Sequence, residues 1–222
     1  MKSYCEEAIE SYHRKVFGKA TTPARRDIFE VNETSAPLTE ELREIFHSIT
    51  ALLLYVLIRQ NCVTALLLYV SIRGHPDILL PVSFLCTRVG KATLQYDEKL
   101  LRVLKYLNGT LGLRYKLGAK ILQEIKIWVD AAFAVHMDMK GHTGGLVSMG
   151  RGAIMCKKSR KQKLNVLSST ECELVGAASY ITNAIWLGQF LEHQEGYPLV
   201  TKIFYQDNQS AIRFAKNGIA PA

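Results

Sequence analysis

The second half of this 222-residue chain predicts an α/β fold, and the first half a mostly helical segment. Three observations carry that reading. From Ile125 to Asp130 apolar and polar residues alternate, the period of a strand with one buried face. Two more β-rich runs follow, Thr143 to Met149 and Gly152 to Cys156, with Gly150-Arg151-Gly152 as the turn between them. A helical stretch from about Ser169 to His193 then leads into a fourth β-rich run, Thr201 to Gln206.

In the first strand Ile125, Ile127 and Val129 point one way, and Lys126, Trp128 and Asp130 the other. The order strand-strand-strand-helix-strand-helix describes a meander followed by a crossover. A long connecting helix can return the chain so that the fourth strand lies parallel to the first. Leu174, Ala178, Ile181 and Ile185 are expected to form the buried stripe of that helix, widened by Val175, Ala177, Ala184 and Trp186. Gly196-Tyr197-Pro198 ends it, and Gln209 to Lys216 reads as a short final helix. Trp128 and Trp186 are expected in the core.

The first half is organised differently. Residues 1–48 are polar and mixed, with a short helix expected from Glu40 through Phe46 after the loop Thr34 to Thr39. An internal repeat follows. Thr50 to Val63 reads TALLLYVLIRQNCV, and Thr64 to Asp77 reads TALLLYVSIRGHPD. Such a unit is far too short for a solenoid. It reads as a tandem duplication inside one helix, with Tyr55 and Tyr69 as packing residues. Arg59, Gln60 and Asn61 interrupt the apolar run, so neither half reaches the roughly 18 residues of a membrane span. From Pro76 to Gly118 the apolar spacing is again helical, through Ile78, Leu79, Val82, Leu85 and Val89 and then Leu100, Leu101, Leu104 and Leu107, with Asn108-Gly109 as a stop. The domain boundary is expected near Gly118 to Ile121, giving units 1–120 and 121–222.

Composition narrows the function classes. Hydrophobic residues make up 48% and charged residues 22%, which fits a chain that buries a core. The formal charge of +8 favours polyanionic partners, nucleic acid first. Cys5, Cys62, Cys86, Cys156 and Cys172 are odd in number and lack C-x-x-C spacing, which argues against a disulfide framework or zinc knuckle and suits a reducing compartment. Glu6, Glu7 and Glu10 stand where a signal peptide would need apolar residues, so secretion is not expected.

Three carboxylates carry the candidate chemistry. Asp130 falls late in the first strand and Asp207 just after the fourth. If the two strands are parallel neighbours, both acids emerge at one sheet edge, where α/β folds bind ligands. Glu171 or Glu173, at the start of the long helix, supplies a third. Converging carboxylates repel, and hard oxygen donors favour magnesium or manganese. Two such ions about 4 Å apart can activate water and stabilise the leaving oxygen of a phosphodiester. Ser168 with Glu171 fits a helix-capping pattern, but so does Thr170 with Glu173, and spacing leaves the choice between the glutamates open.

These residues sit in text that resembles the ribonuclease H of copia-type LTR retrotransposon Pol polyproteins. The resemblance covers residues 125–217. It is carried by WVDAAF at 128–133, HTGG at 142–145, KQKLNVLSSTECE at 161–173, NAIWL at 183–187 and YQDNQSAIRFAKN at 205–217. It implies a mixed sheet flanked by helices and metal-dependent cleavage of the RNA strand of RNA–DNA hybrids, with two Mg2+ or Mn2+ ions. Matched by motif, Asp130, Glu173 and Asp207 are the implied metal ligands and catalytic acids, which selects Glu173 over Glu171. Residues 38–112 resemble the end of the reverse transcriptase of the same polyprotein. The polymerase's Tyr-x-Asp-Asp segment is absent from the sequence, so no polymerase activity is expected.

The resemblance implies as partners the hybrid, the reverse transcriptase and other parts of the polyprotein, and no membrane. It implies a cytoplasmic, virus-like-particle or nuclear location. Three departures accompany it: Ala132 stands where the family often has a second Asp, the text stops at Ala222, before the family's last strand, last helix and fourth acid, and the tandem repeat disturbs the upstream region. The domain is therefore expected to be C-terminally truncated. The alternatives left open are a catalytically inactive fragment that at most binds nucleic acid, and a different two-metal nuclease of the same fold.

The remaining candidates are contacts with substrate. Five cations, Lys157, Lys158, Arg160, Lys161 and Lys163, form a basic stretch that either tracks phosphates, Lys157 and Lys158 above all, or is a solvated loop. Asn208 and Gln209 either reach the 2′-hydroxyl side of the hybrid or cap the last helix. Ser169 and Thr170 are substrate-side candidates by position, with helix capping as their other role. His136, Asp138 and His142 fall in an expected loop without a further ligand at suitable spacing, so a structural role is expected of them.

Overall fold

The computed structural model describes residues 2–50, 74–114, 118, 123–151, 154–194 and 200–218, and of residues 154–157 the backbone alone. The repeat, apart from its two ends, lies outside the described residues, and with it Tyr55, Tyr69 and Cys62. The chain forms two compact units, Met1–Arg114 and Tyr115–Ala222.

The first unit is helical: α1 (Lys2–Glu10), α2 (Glu40–Thr50), α3 (Leu79–Cys86) and α4 (Leu94–Thr110), with short 3-10 turns at Pro76–Ile78 and Val89–Lys91. Helix α1 comes from text that reads as polar and mixed, because only Cys5 and Ala8 of its residues are fully buried. Leu100, Val103, Leu104 and Leu107 recur at three- and four-residue spacing along α4 and are fully buried among Phe46, Ile49, Val82, Phe84 and Leu85. Phe84 meets Phe29 edge-on at 5.3 Å between ring centroids. Helix α4 runs through Asn108-Gly109 and stops at Thr110, so the expected stop falls inside its last turn.

The second unit contains β1 (Glu124–Ala132), β2 (His142–Ser148), β3 (Ile154–Lys161), α5 (Ser169–Glu192), β4 (Thr201–Tyr205) and α6 (Gln209–Asn217). The sheet order is β3-β2-β1-β4. β1 pairs antiparallel with β2 and parallel with β4, so the sheet is mixed and the crossover through α5 returns the chain as expected. With its helices, this is a ribonuclease H-like arrangement. Ile125, Ile127 and Val129 face the core with Val147, Tyr180, Ala184 and Leu187.

Three expectations need correction. The buried face of α5 is Cys172, Glu173, Gly176, Tyr180, Ala184, Leu187 and Gly188, whereas Ala178, Ile181 and Ile185 are exposed. Apolar residues surround this helix, so their spacing does not select a side. Close approach does: a Cβ on Gly176 would sit 3.1 Å from Thr143 and 3.3 Å from Val129. The two tryptophans are also outside the core, Trp128 37% and Trp186 64% exposed. Trp128 lies on the opposite sheet face, stacked on Tyr205 at 5.0 Å, and Trp186 stacks on Phe190 at 5.6 Å. Finally, most of the basic stretch is not a loop, because β3 continues to Lys161. A row of cations on an edge strand discourages pairing with another chain.

Candidate metal centre

Strand register builds the site. Trp128 pairs with Tyr205 in the parallel β1–β4 ladder. Two residues further along each chain stand Asp130 and Asp207, so both carboxylates leave the sheet at one edge. Helix α5 starts over that edge. Ser168 caps it, its Oγ accepting from the Glu171 backbone N–H at 3.1 Å. The Glu171 carboxylate turns back to accept from the Leu167 N–H at 2.7 Å, which commits it to the helix terminus.

Glu173, half a turn later, points to the sheet. One oxygen of each of Asp130, Glu173 and Asp207 falls within 4.8 Å of the others. Asp130 and Asp207 are exposed, and Glu173 is only 5% exposed. The Ala131 N–H donates to Glu173 Oε1 at 3.2 Å, and Gln206 Nε2 donates to Glu173 Oε2 at 3.1 Å. Burial pushes the Glu173 carboxyl up, and the like charges of Asp130 and Asp207 add to the shift. The hydrogen bonds from Gln206 and Ala131 oppose it. Among the described residues, none of the three acids forms a salt bridge with a basic side chain. An all-carboxylate, all-oxygen donor set without a protein cation fits a hard divalent ion.

Two of the curated proteins similar to this chain come from transposons. A retrovirus-related Pol polyprotein from transposon TNT 1-94 of Nicotiana tabacum is 27% identical over 98% of this chain and 16% of its own length. A Ty5-1 transposon protein of Saccharomyces cerevisiae is 32% identical over 49% of this chain and 35% of its own. The chain is thus similar in sequence to retrotransposon proteins, a Pol polyprotein among them. It spans about a sixth of the tobacco polyprotein and about a third of the yeast protein. No protein-family model and no solved structure matches it.

Around the three acids, the remaining candidates separate. Asn208 caps α6, its Oδ1 accepting from the Ala211 N–H at 2.9 Å, so its capping role is realised. Gln209 opens α6 and is exposed. Ser169 and Thr170 lie in the first turn of α5, Ser169 exposed and Thr170 half-buried, while the cap itself is Ser168. Lys158 is exposed on β3, and the side chain of Lys157 lies outside the described residues. Ala132 is half-buried at the end of β1.

His136 and His142 are buried and share a ring hydrogen bond at 3.1 Å, and His142 Nε2 lies 2.7 Å from Ser159 Oγ. Asp138 pairs with Lys161 at 2.7 Å. That is a structural network rather than a cluster of ligands. Among the described residues no helix is long and apolar enough to cross a membrane. The residue that sequence reasoning missed is Gln206. It stands inside the YQDNQSAIRFAKN text, but nothing there gives it a role; only the fold brings its amide to Glu173.

Proposed function

We propose that the second unit is a copia-type ribonuclease H, which hydrolyses the RNA strand of RNA–DNA hybrids with two Mg2+ or Mn2+ ions held by Asp130, Glu173 and Asp207. The single observation that carries this reading is the convergence of three carboxylate oxygens within 4.8 Å at the sheet edge. Bound there, the ions would supply an activated water and neutralise charge on the phosphodiester.

The chain's own residues do the rest. The Ala131 N–H and the Gln206 amide fix the buried Glu173 carboxylate, so it needs little rearrangement to serve as a ligand. Asp130 and Asp207 are exposed and open the site to a strand from solution. Exposed Lys158 and Arg160 on β3, with Lys157, offer positive charge to the backbone of a bound hybrid. Ser169, Thr170 and Gln209 stand at the starts of the two helices near the acids and are the candidates for contacts with the RNA strand. The first unit is then the end of a reverse transcriptase, and other parts of the polyprotein are its partners.

The deciding experiment incubates the full chain with labelled RNA–DNA hybrid and with duplex DNA, in Mg2+ or Mn2+. Cleavage of the RNA strand alone, lost in Asp130→Asn, is the expected result. Cleavage that persists in Asp130→Asn excludes the site. Salt-sensitive hybrid binding without cleavage assigns the chain to the inactive-fragment reading, and cleavage of duplex DNA points to another nuclease of this fold.

A further inference from the structure

We propose that the first unit contains a binding groove for a phosphate-bearing ligand of nucleotide size, between the segment 14–28 and one face of α4. A cavity of about 680 Å3 lies there, and Arg14, Lys19, Arg25, Lys99, Arg102 and Lys105 all line it. That volume falls in the range of small-ligand sites, roughly 300–1,000 Å3.

The six cations divide into two sets. Arg14 and Lys99 build the walls. Arg14 pairs with the buried Asp97 at 2.5 Å. Lys99 donates to the carbonyls of Asp27, Ile28 and Glu30 at 3.1, 2.8 and 2.6 Å, which fastens the segment to the helix. Lys19, Arg25 and Lys105 form no ion pair among the described residues. Arg102 donates from one terminal nitrogen to Thr22 Oγ1 at 2.8 Å, yet its Nε is buried with no hydrogen-bond acceptor.

Against these four cations the lining sets two carboxylates, Asp27 and Glu98. A concave surface with surplus positive charge concentrates anions. An arginine fork matches phosphate oxygens better than a point charge does. Ala24, Ile28 and Leu101, also in the lining, offer apolar surface beside the charge, which suits a sugar or base next to its phosphate. A free nucleotide and a single nucleotide of a strand present the same chemistry. The proposal uses no residue of the second unit and stands apart from the nuclease reading.

The test measures binding of a fluorescent nucleoside triphosphate and of a labelled oligothymidylate to the full chain in chelator, so that divalent ions at the carboxylates contribute nothing. Saturable one-to-one binding of either probe is expected, weakened about tenfold or more by Arg102→Gln and by Lys105→Gln. Arg25→Gln, at an exposed position, gives the same direction of change without disturbing packing. If the triphosphate displaces the oligomer, free nucleotide and strand share the groove; binding of the oligomer alone makes the strand the ligand. Failure of both probes to bind at low salt overturns the proposal. So does wild-type affinity in all three variants.

Discussion

The side chain of Gln206 ties Glu173 to the turn that carries Asp207. Its Nε2 donates to Glu173 Oε2 at 3.1 Å, while its Oε1 accepts from the backbone N–H groups of Asp207 and Asn208 at 2.8 and 3.0 Å. One amide thus sets the spacing between a helix-borne acid and a loop-borne acid. Gln206 is a positioning residue: it touches the Glu173 carboxylate and the backbone of the turn that carries Asp207. Gln206→Met, close in volume but without the amide, is expected to lower hybrid cleavage about 10–100-fold at limiting Mg2+. Much of that loss should be recovered at high Mg2+. A magnesium dependence identical to the wild type would show that the amide does not organise the site.

Glu171 and Glu173 stand two positions apart and are expected to fail differently. Glu171→Ala removes the carboxylate that accepts from Leu167, at a cost of about 1 kcal/mol in stability, with cleavage per folded molecule unchanged. Glu173→Gln is expected to abolish cleavage. Urea unfolding followed by tryptophan fluorescence measures the first effect, because both tryptophans, Trp128 and Trp186, lie in the second unit. Loss of cleavage in Glu171→Ala at full folding would reverse the assignment.

This pair also marks how far the sequence is legible. Alternation from Ile125 to Asp130 and a long helix before Thr201 allowed a parallel return of the fourth strand to the first, on which the meeting of Asp130 and Asp207 depends, and β4 does pair parallel with β1. Spacing could not choose between Glu171 and Glu173, because both fit a cap and both flank the apolar residues of α5; a hydrogen bond to Leu167 separates them in space. The face of α5 was illegible for a related reason. Its exposed side carries Ile181, Ile185, Trp186 and Phe190, as apolar as anything it buries. The buried side is chosen by small residues, Gly176, Ala184 and Gly188, and by Tyr180, whose hydroxyl donates to the Lys158 carbonyl. Contacts between distant strands and helices leave no period in the sequence.

The two glycines of the HTGG segment are not equivalent. A Cβ on Gly145 would lie 2.7 Å from the Trp128 carbonyl oxygen and 2.8 Å from Tyr180 Cζ, whereas one on Gly144 meets nothing within 4 Å. Gly145→Ala must therefore displace either the β1 backbone or a buried ring, and is expected to destabilise the second unit by about 1–3 kcal/mol. Gly144→Ala should change stability by less than about 0.5 kcal/mol. Equal midpoints for the two variants in urea would contradict this packing.

His142 makes the second unit sensitive to acid. It is buried at the start of β2, with the His136 ring on one nitrogen and the Ser159 hydroxyl on the other. Burial, and then the neighbouring His136, push its pKa down from 6.5 to about 4. The folded unit therefore binds the proton less readily than the unfolded chain. The stabilisation is fully present above pH 6.5, falls as the pH drops below that value, and is gone below about pH 4. The gap corresponds to on the order of 3 kcal/mol. His142→Gln keeps a polar side chain but cannot titrate, so its stability should vary less between pH 6.5 and 4, even if it is lower at neutral pH. Urea midpoints read by tryptophan fluorescence across that interval measure the difference. A slope in the variant as steep as in the wild type would place the acid sensitivity on other groups.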